Sequence, residues 1–289
     1  MKLLTKASFS PEVTAREREN LQVAYQAACE GMVLLKNDGI LPFKNRKIAL
    51  YGPGASMTIK GGTGSGEVNE RHSVTILEGL ENRGFEIMTR PWIKDFEQGY
   101  AEAKAAYEIE KKKRVNFLKF GSIMNMLFDN FRAPVGRAIT KEDVDASDTD
   151  TCIYVLSRQA GEGGDRRAEK GDMFLTDEEV EAITFCAEHY EKFLLVINSG
   201  SSIDMSFGEE IPGINAILYF CQLGTQGGDV YVHRTGFAHK IGLPYFGKQL
   251  VTGKNMTGIF HKKMKQFVFL QGKLNTLSIH CSSVLIQIK

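Results

Sequence analysis

Apolar positions along the chain change period, and each change predicts an element. From Glu12 to Lys36, the residues Val13, Leu21, Ala24, Tyr25, Ala28, Met32 and Leu35 recur mostly at three- and four-residue steps. That spacing predicts one helix with a buried stripe, ending at Asn37-Asp38-Gly39, where the glycine can supply a left-handed stop. The period then falls. Lys47-Ile48-Ala49-Leu50-Tyr51 is short, apolar and closed by Gly52-Pro53-Gly54, which predicts a buried strand entering a tight loop. Ser73 is placed to cap a helix over Val74, Ile76, Leu77 and Leu80 that stops at Gly84, and Glu86 to Thr89 reads as the next strand. Residues 96–131 carry Ala, Glu, Lys and Leu at helical spacing and read as a helical insertion.

The second half repeats the alternation. Thr151-Cys152-Ile153-Tyr154-Val155-Leu156 is a strand-like run. Thr176-Asp177-Glu178-Glu179 has the form of a capping box opening a helix to about Glu191. Phe193 to Ile197 and Ala216 to Phe220 complete the strands, the former running into Asn198-Ser199-Gly200. Strands that are apolar on both faces and alternate with helices predict an α/β fold, a three-layer α/β/α sandwich on a mostly parallel sheet. The sandwich domain is expected over 12–229. From 230 to 289 the pattern degrades into scattered basic residues and isolated glycines, and this tail has no assigned fold.

Composition narrows the partners. The chain has 289 residues, 43% hydrophobic and 25% charged, with a formal net charge of +1. Such a balance gives no electrostatic reason to expect nucleic acid or an anionic membrane surface, and a neutral ligand is more compatible. No run approaches the length of a membrane span, and the first residues lack the apolar core of a secretory signal. The five cysteines, Cys29, Cys152, Cys186, Cys221 and Cys281, are scattered without a C-x-x-C pair and read as buried free thiols of a reducing compartment. A cytoplasmic location is the expectation. His72, His189 and His233 fall on different elements without metal-ligand spacing, so neither a metal nor a cofactor is expected.

Two glycine-rich loops carry the candidate chemistry. Lys60-Gly61-Gly62-Thr63-Gly64-Ser65-Gly66 follows the first predicted strand but fits neither nucleotide template: its third glycine comes one residue early, no Lys-Ser/Thr pair follows, and Glu67 would repel phosphate. What remains is a loop whose backbone can approach a ligand closely, or a plain surface loop. The second loop, Gly161-Glu162-Gly163-Gly164-Asp165-Arg166, follows the strand ending at Leu156. Loops at the carboxyl ends of strands in open α/β sheets are where such domains place their chemistry. Glu162, flanked by glycines, is a candidate general acid, with a solvated acidic loop as the alternative; Asp165 and Arg166 are expected to pair and fix the loop. The basic run Lys111-Lys112-Lys113-Arg114 fits a solvated helix face.

Taken in order, Glu30-Gly31-Met32-Val33-Leu34-Leu35-Lys36-Asn37-Asp38-Gly39-Ile40-Leu41-Pro42, the Lys60 to Gly66 loop and the Gly161 to Arg166 loop resemble the α/β/α domain of glycoside hydrolase family 3. Gly224-Thr225-Gln226-Gly227-Gly228-Asp229 is similar to that family's G-x-x-G-G loop. The resemblance implies a β-glucosidase-type site shared with a (β/α)8 barrel that carries an aspartate nucleophile. It places the catalytic acid/base on Glu162 and the contacts to a small carbohydrate, a β-glucoside, on Lys60, Gly62, Thr63, Gly64, Ser65, Asp165 and Arg166. It implies retaining hydrolysis between carboxyls about 5 Å apart. A sandwich this near the first residue resembles the members with swapped domain order, whose barrel comes later. A barrel takes about 250 residues, so the expectation is a fragment inactive alone, with a reading frame that slips near Asp229. A non-catalytic carbohydrate-binding module or degenerate remnant is the alternative.

Overall fold

The computed structural model describes residues 12–63, 70–114, 131–160 and 166–236. All of them fall in the first of two compact units, which ends at Ile241. In chain order the elements are α1 (Ala15–Gly31), β1 (Val33–Asn37), β2 (Lys47–Tyr51), α2 (Ile76–Asn82), β3 (Glu86–Ile87), α3 (Arg90–Arg114), α4 (Lys141–Ser147), β4 (Thr151–Arg158), α5 (Asp177–His189), β5 (Lys192–Ser199), α6 (Phe207–Glu210), β6 (Ala216–Tyr219) and α7 (Gly227–Gly236).

Six strands form one sheet in the order β1-β6-β5-β4-β2-β3. Every pairing is parallel except β1 with β6. Consecutive strand residues point to opposite faces, and Thr151 through Leu156 are all buried. Both faces of β4 are therefore covered, and the same holds for Phe193 through Ser199 of β5. This is the expected α/β sandwich on a mostly parallel sheet. On one side Tyr51 packs edge-on against Trp92 of α3, with ring centroids 5.4 Å apart. Its hydroxyl shares a hydrogen bond of 2.9 Å with that of Tyr190, and burial pushes the Tyr51 phenol well above its usual range.

Sequence patterning and structure part in several places. The single helix expected over Glu12 to Lys36 ends at Gly31. Met32 takes an extended conformation, and Val33 to Asn37 pair with β6 as an edge strand. A β-branched and leucine-rich pentapeptide facing an open strand edge gains a ladder that a further helical turn would forgo. Gly39 does turn the chain with φ +95°, but it ends a strand rather than a helix. The cap of α2 is Thr75, whose hydroxyl accepts from Glu78 N, rather than Ser73. The helix expected from residue 96 starts at Arg90, because Trp92, Ile93 and Phe96 bury its first turns in the core. The short α4, capped by Thr140, was not anticipated. By contrast, the capping box at Thr176 forms as expected, with Glu179 N donating to Thr176 Oγ1 and Thr176 N donating to Glu179.

One glycine fixes the turn out of β2. Gly52 has φ +88°, and a Cβ there would lie 2.5 Å from the Val155 carbonyl oxygen, so the loop leaves the sheet pressed against β4. A second close approach joins α2 to α7, where a Cβ on Gly79 would fall 2.1 Å from Gly228 O. Among the described cysteines, Cys29, Cys152 and Cys186 are buried and Cys221 is half-buried, and none of the four is in a disulfide. The expectations for residues 237–289, Cys281 included, lie outside the described residues.

Candidate functional site

Because β2, β4, β5 and β6 are parallel, their carboxyl ends share one edge of the sheet, and the loops that follow them converge there. The loop after β2 carries Lys60, Gly62 and Thr63. Gln159, directly after β4, donates through Nε2 to Gly61 O at 2.9 Å, and Thr63 N donates to Ala160 O at 3.2 Å. The two candidate loops named from the sequence are thus clasped to each other at their bases. A Cβ on Gly62 would sit 3.4 Å from Ala160 O, an ordinary van der Waals distance, so the clasp itself does not demand glycine at this position.

Asn198, the penultimate residue of β5, ties three loops together from a fully buried position. Its Oδ1 accepts from Ile59 N at 2.6 Å, and its Nδ2 donates to Ile59 O at 2.9 Å and to Cys221 O at 2.6 Å. A side-chain amide satisfies both a donor and an acceptor of the same backbone residue and still has a second N–H for Cys221 O, which an ionised carboxylate, an acceptor only, cannot do. The G-x-x-G-G segment holds the β2 loop from the other side. Gly224 N donates to Lys60 O at 2.8 Å, Val74 N donates to Thr225 O at 2.9 Å, and Gly228 N donates to Val74 O at 3.1 Å. Residues 60 and 74 bracket the glycine-rich loop, so both of its ends are fixed by one segment. Lys60 forms an ion pair with Glu70, which holds the Glu70 carboxyl below its usual range.

The base of the loop after β4 is built from two linked ion pairs, one buried and one half-buried. Arg158, the last residue of β4, makes a two-pronged pair with Glu179 of α5, the side chains being only 8% and 3% exposed. Arg158 Nε also donates to Asp172 O at 3.2 Å. Asp172 in turn receives Arg166 Nη1 at 2.6 Å and Arg167 N at 3.1 Å on its carboxylate. Arg166 Nη2 donates to Gln159 O at 3.1 Å and Nε donates to Ser201 Oγ. Burial alone would raise the Asp172 pKa, but the hydrogen bonds from Arg166 and Arg167 outweigh it and hold the carboxyl below its ordinary value.

The structure therefore brings Lys60, Gly62, Thr63 and Arg166 to one edge. Gly64, Ser65, Glu162 and Asp165 lie outside the described residues, as does any pairing of Asp165 with Arg166. Arg166 itself is engaged by Asp172, Gln159 and Ser201. Sequence reasoning missed Arg158, Gln159, Asp172, Glu179 and Asn198 as parts of the site. Glu179 was recognisable only as a helix cap and Asn198 only as the end of a strand. His72 pairs with Glu78, and His189 Nδ1 lies 2.9 Å from Phe185 O. Among the described residues no group of three His, Cys, Asp or Glu side chains could hold a metal ion, and no helix is long and apolar enough to cross a membrane.

Comparison with known proteins converges on one group. β-Glucosidase A of Butyrivibrio fibrisolvens is 27% identical over 248 residues, covering 75% of this chain and 27% of that protein. A β-glucosidase of Ruminococcus albus is 29% identical over 212 residues, covering 73% of this chain and 21% of that protein. The chain thus spans about a quarter of the length of the curated relatives it matches. Among solved structures, β-glucosidase 3B of Thermotoga neapolitana in complex with glycerol superposes with a TM-score of 0.61 at 28% identity, over 79% of this chain and 30% of that one. The same enzyme is also known in complex with α-D-glucose. Residues 32–234 match the model of the glycosyl hydrolase family 3 C-terminal domain. That match takes in the sheet, both clasped loops and the G-x-x-G-G segment, and by it the chain belongs to glycosyl hydrolase family 3.

Proposed function

We propose that this chain supplies one half of a retaining β-glucosidase-type site, with Glu162 as the acid/base. The observation that carries the reading is the clasp between the loops after β2 and β4, through Gln159 with Gly61 and Thr63 with Ala160. It holds the base of the Glu162 loop against Lys60, Gly62 and Thr63, the residues assigned to the sugar. Gly64, Ser65, Asp165 and Arg166 complete that set. In this chemistry Glu162 protonates the departing glycosidic oxygen while a second carboxylate attacks the anomeric carbon. Glu162 then takes a proton from the water that releases the sugar. The attacking aspartate belongs to a (β/α)8 barrel outside this sequence. The α-D-glucose bound by the Thermotoga neapolitana enzyme supports a small carbohydrate as the ligand.

The test is complementation. The chain is mixed with a family 3 β-glucosidase barrel expressed separately, and release of an aryl leaving group is followed. The chain alone gives no turnover, the mixture gives turnover, and Glu162→Gln in the mixture lowers it by about 100-fold or more. Equal turnover with Glu162→Gln would remove the acid/base role. Glucose binding without turnover in any mixture would favour a carbohydrate-binding module.

A further inference from the structure

Only the first turns of α3 belong to the core. Trp92, Ile93 and Phe96 are buried, whereas from Gln98 to Arg114 no residue is. The helix has 25 residues, about 37 Å at its usual rise. Its inner side is nevertheless closed: Tyr100, Ala103 and Tyr107 are half-buried, and Phe131 packs on the two tyrosines with ring centroids 5.3 and 5.4 Å away. Each residue turns the helix by about 100°, so Gln98, Ala101, Ala105, Ile109 and Lys112 share the opposite side, and all five are exposed.

That outer line departs from an ordinary solvated face. Its centre is small and apolar, Ala101, Ala105 and Ile109, the last of them 55% exposed. Its charges stand at the ends with opposite sign, Glu97 beside Gln98 at one and Lys112 with Lys113 at the other. Glu102 and Glu108 border the centre on its two flanks, and Glu102 Oε1 accepts from Gln98 Nε2 at 2.9 Å. The helix dipole favours lysines near the carboxyl end, but it gives no reason for an isoleucine facing water. Turned end for end about Ala105, the line is complementary to itself. Ala101 then falls opposite Ile109, and Glu97 opposite Lys112 and Lys113. A parallel arrangement would set Lys112 against Lys112 and Glu97 against Glu97.

We propose that the outer face of α3 is an interaction surface for a second copy of this chain, the two helices lying antiparallel about a two-fold axis at Ala105. One patch serves both partners, as a two-fold interface requires. Alanine at the axis carries nothing beyond Cβ, so the two backbones can approach there, and Ile109 of each copy is covered by Ala101 of the other. The Glu97 to Lys112 pairs at the two ends fix direction and register more than they add affinity. Two helices touching over about four turns fall short of the roughly 1,200 Å² of a standard interface, so the pair is weak and dissociates in the micromolar range. The proposal needs nothing of Glu162 and stands apart from the acid/base reading.

Sedimentation velocity of the full chain, over about a hundredfold range of micromolar concentrations, reads the equilibrium. The mass should rise from one copy towards two and stop there, since a two-fold face closes on itself. Ala105→Glu, at an exposed position, sets two like charges against each other at the axis and should loosen the pair at least ~10-fold. Glu97→Lys or Lys112→Glu alone should loosen it about fivefold. The two together restore opposite signs and should bring it back to within about threefold of the unaltered chain. Lys141→Glu, an exposed charge reversal on α4, should leave it in place. Fluorescence of Trp92, the chain's one tryptophan, checks that each variant is folded. A dimer indifferent to Ala105→Glu, or a double reversal that fails to restore what each single change loosened, overturns the proposal. So does an unaltered chain that stays single at every concentration, which would leave the outer face of α3 to a different protein or domain.

Discussion

The two ends of β4 are held by different physics. At its amino end, Cys152, Ile153, Tyr154 and Val155 are fully buried beside the equally buried Phe193, Leu194, Leu195 and Val196 of β5. Dispersion and water exclusion act there without direction, roughly in proportion to the apolar area covered. At the carboxyl end, Arg158 and Asn198 are also buried, but each is placed by hydrogen bonds to named atoms. An apolar core loses stability gradually as atoms are removed. A buried polar cluster loses it abruptly when one partner goes, because the other is left unsatisfied. Precision at the loop bases therefore comes with fragility, and stability comes from the tolerant end.

Breaking the apolar side first gives the largest expected effect. Phe193→Ala should destabilise the fold by about 4 kcal/mol, the usual cost of a large cavity in a closed core. Urea unfolding measures it. If the comparison holds, exchange at the Thr63 amide, which reports the clasp to Ala160, should keep its protection relative to global unfolding. A selective loss at Thr63 would mean that the two ends are not separable.

The polar end should answer differently to single and paired changes. Glu179→Ala leaves Arg158 buried without its carboxylate and should cost about 3 kcal/mol. Replacing both partners, Arg158→Met with Glu179→Leu, should recover most of that loss, since buried pairs are often matched by apolar groups of similar volume. The same double variant should nevertheless loosen the Thr63 and Gly61 contacts, because Arg158 also holds Asp172 O. Stability recovered with the clasp intact would show that the ion pair contributes nothing to the loop base. Asn198→Ala comes next, at about 2 kcal/mol, since it strands Ile59 N and Cys221 O beneath the loops. Asn198→Asp should be no better, having lost the donor.

This division also explains what the sequence made legible. Strands β2, β4, β5 and β6 were readable because apolar runs report burial on both faces, a property each segment carries by itself. The helix cap at Thr176 was readable because its partner Glu179 is three residues away. β1 was misread as helix because its fate depends on the exposed edge of β6, about 180 residues later in the chain, and a window of local periodicity does not contain that edge. The same reason hid the site's framework. Asn198 meets Ile59 across 139 residues and Gln159 meets Gly61 across 98, so no local spacing announces either contact. Glycine-rich segments were visible as loops, and resemblance gave them a role. Their anchors, Arg158, Asp172 and Asn198, read as ordinary residues at the ends of strands and turns.

The smallest expected effect tests whether the Asp172 carboxylate acts as an ion at the polar end or merely fills space. Arg166 and Arg167 hold its pKa below the ordinary value despite burial, so its folded pKa is lower than its unfolded one. For a group depressed on folding, stabilisation is present above the unfolded pKa, about 3.9, and is lost as pH falls through the folded value. Arg166 stays protonated throughout and adds no slope of its own. Wild type and Asp172→Asn should therefore differ by about 1 kcal/mol near pH 7, and the gap should close as pH falls below about 4. Phe193→Ala offers the contrast, because its deficit involves no proton and should stay constant over the same range. Urea unfolding of the three proteins at each pH reads both lines. A gap for Asp172→Asn that persisted unchanged to pH 3 would move Asp172 from the charged framework of the loop to the space-filling side of the comparison.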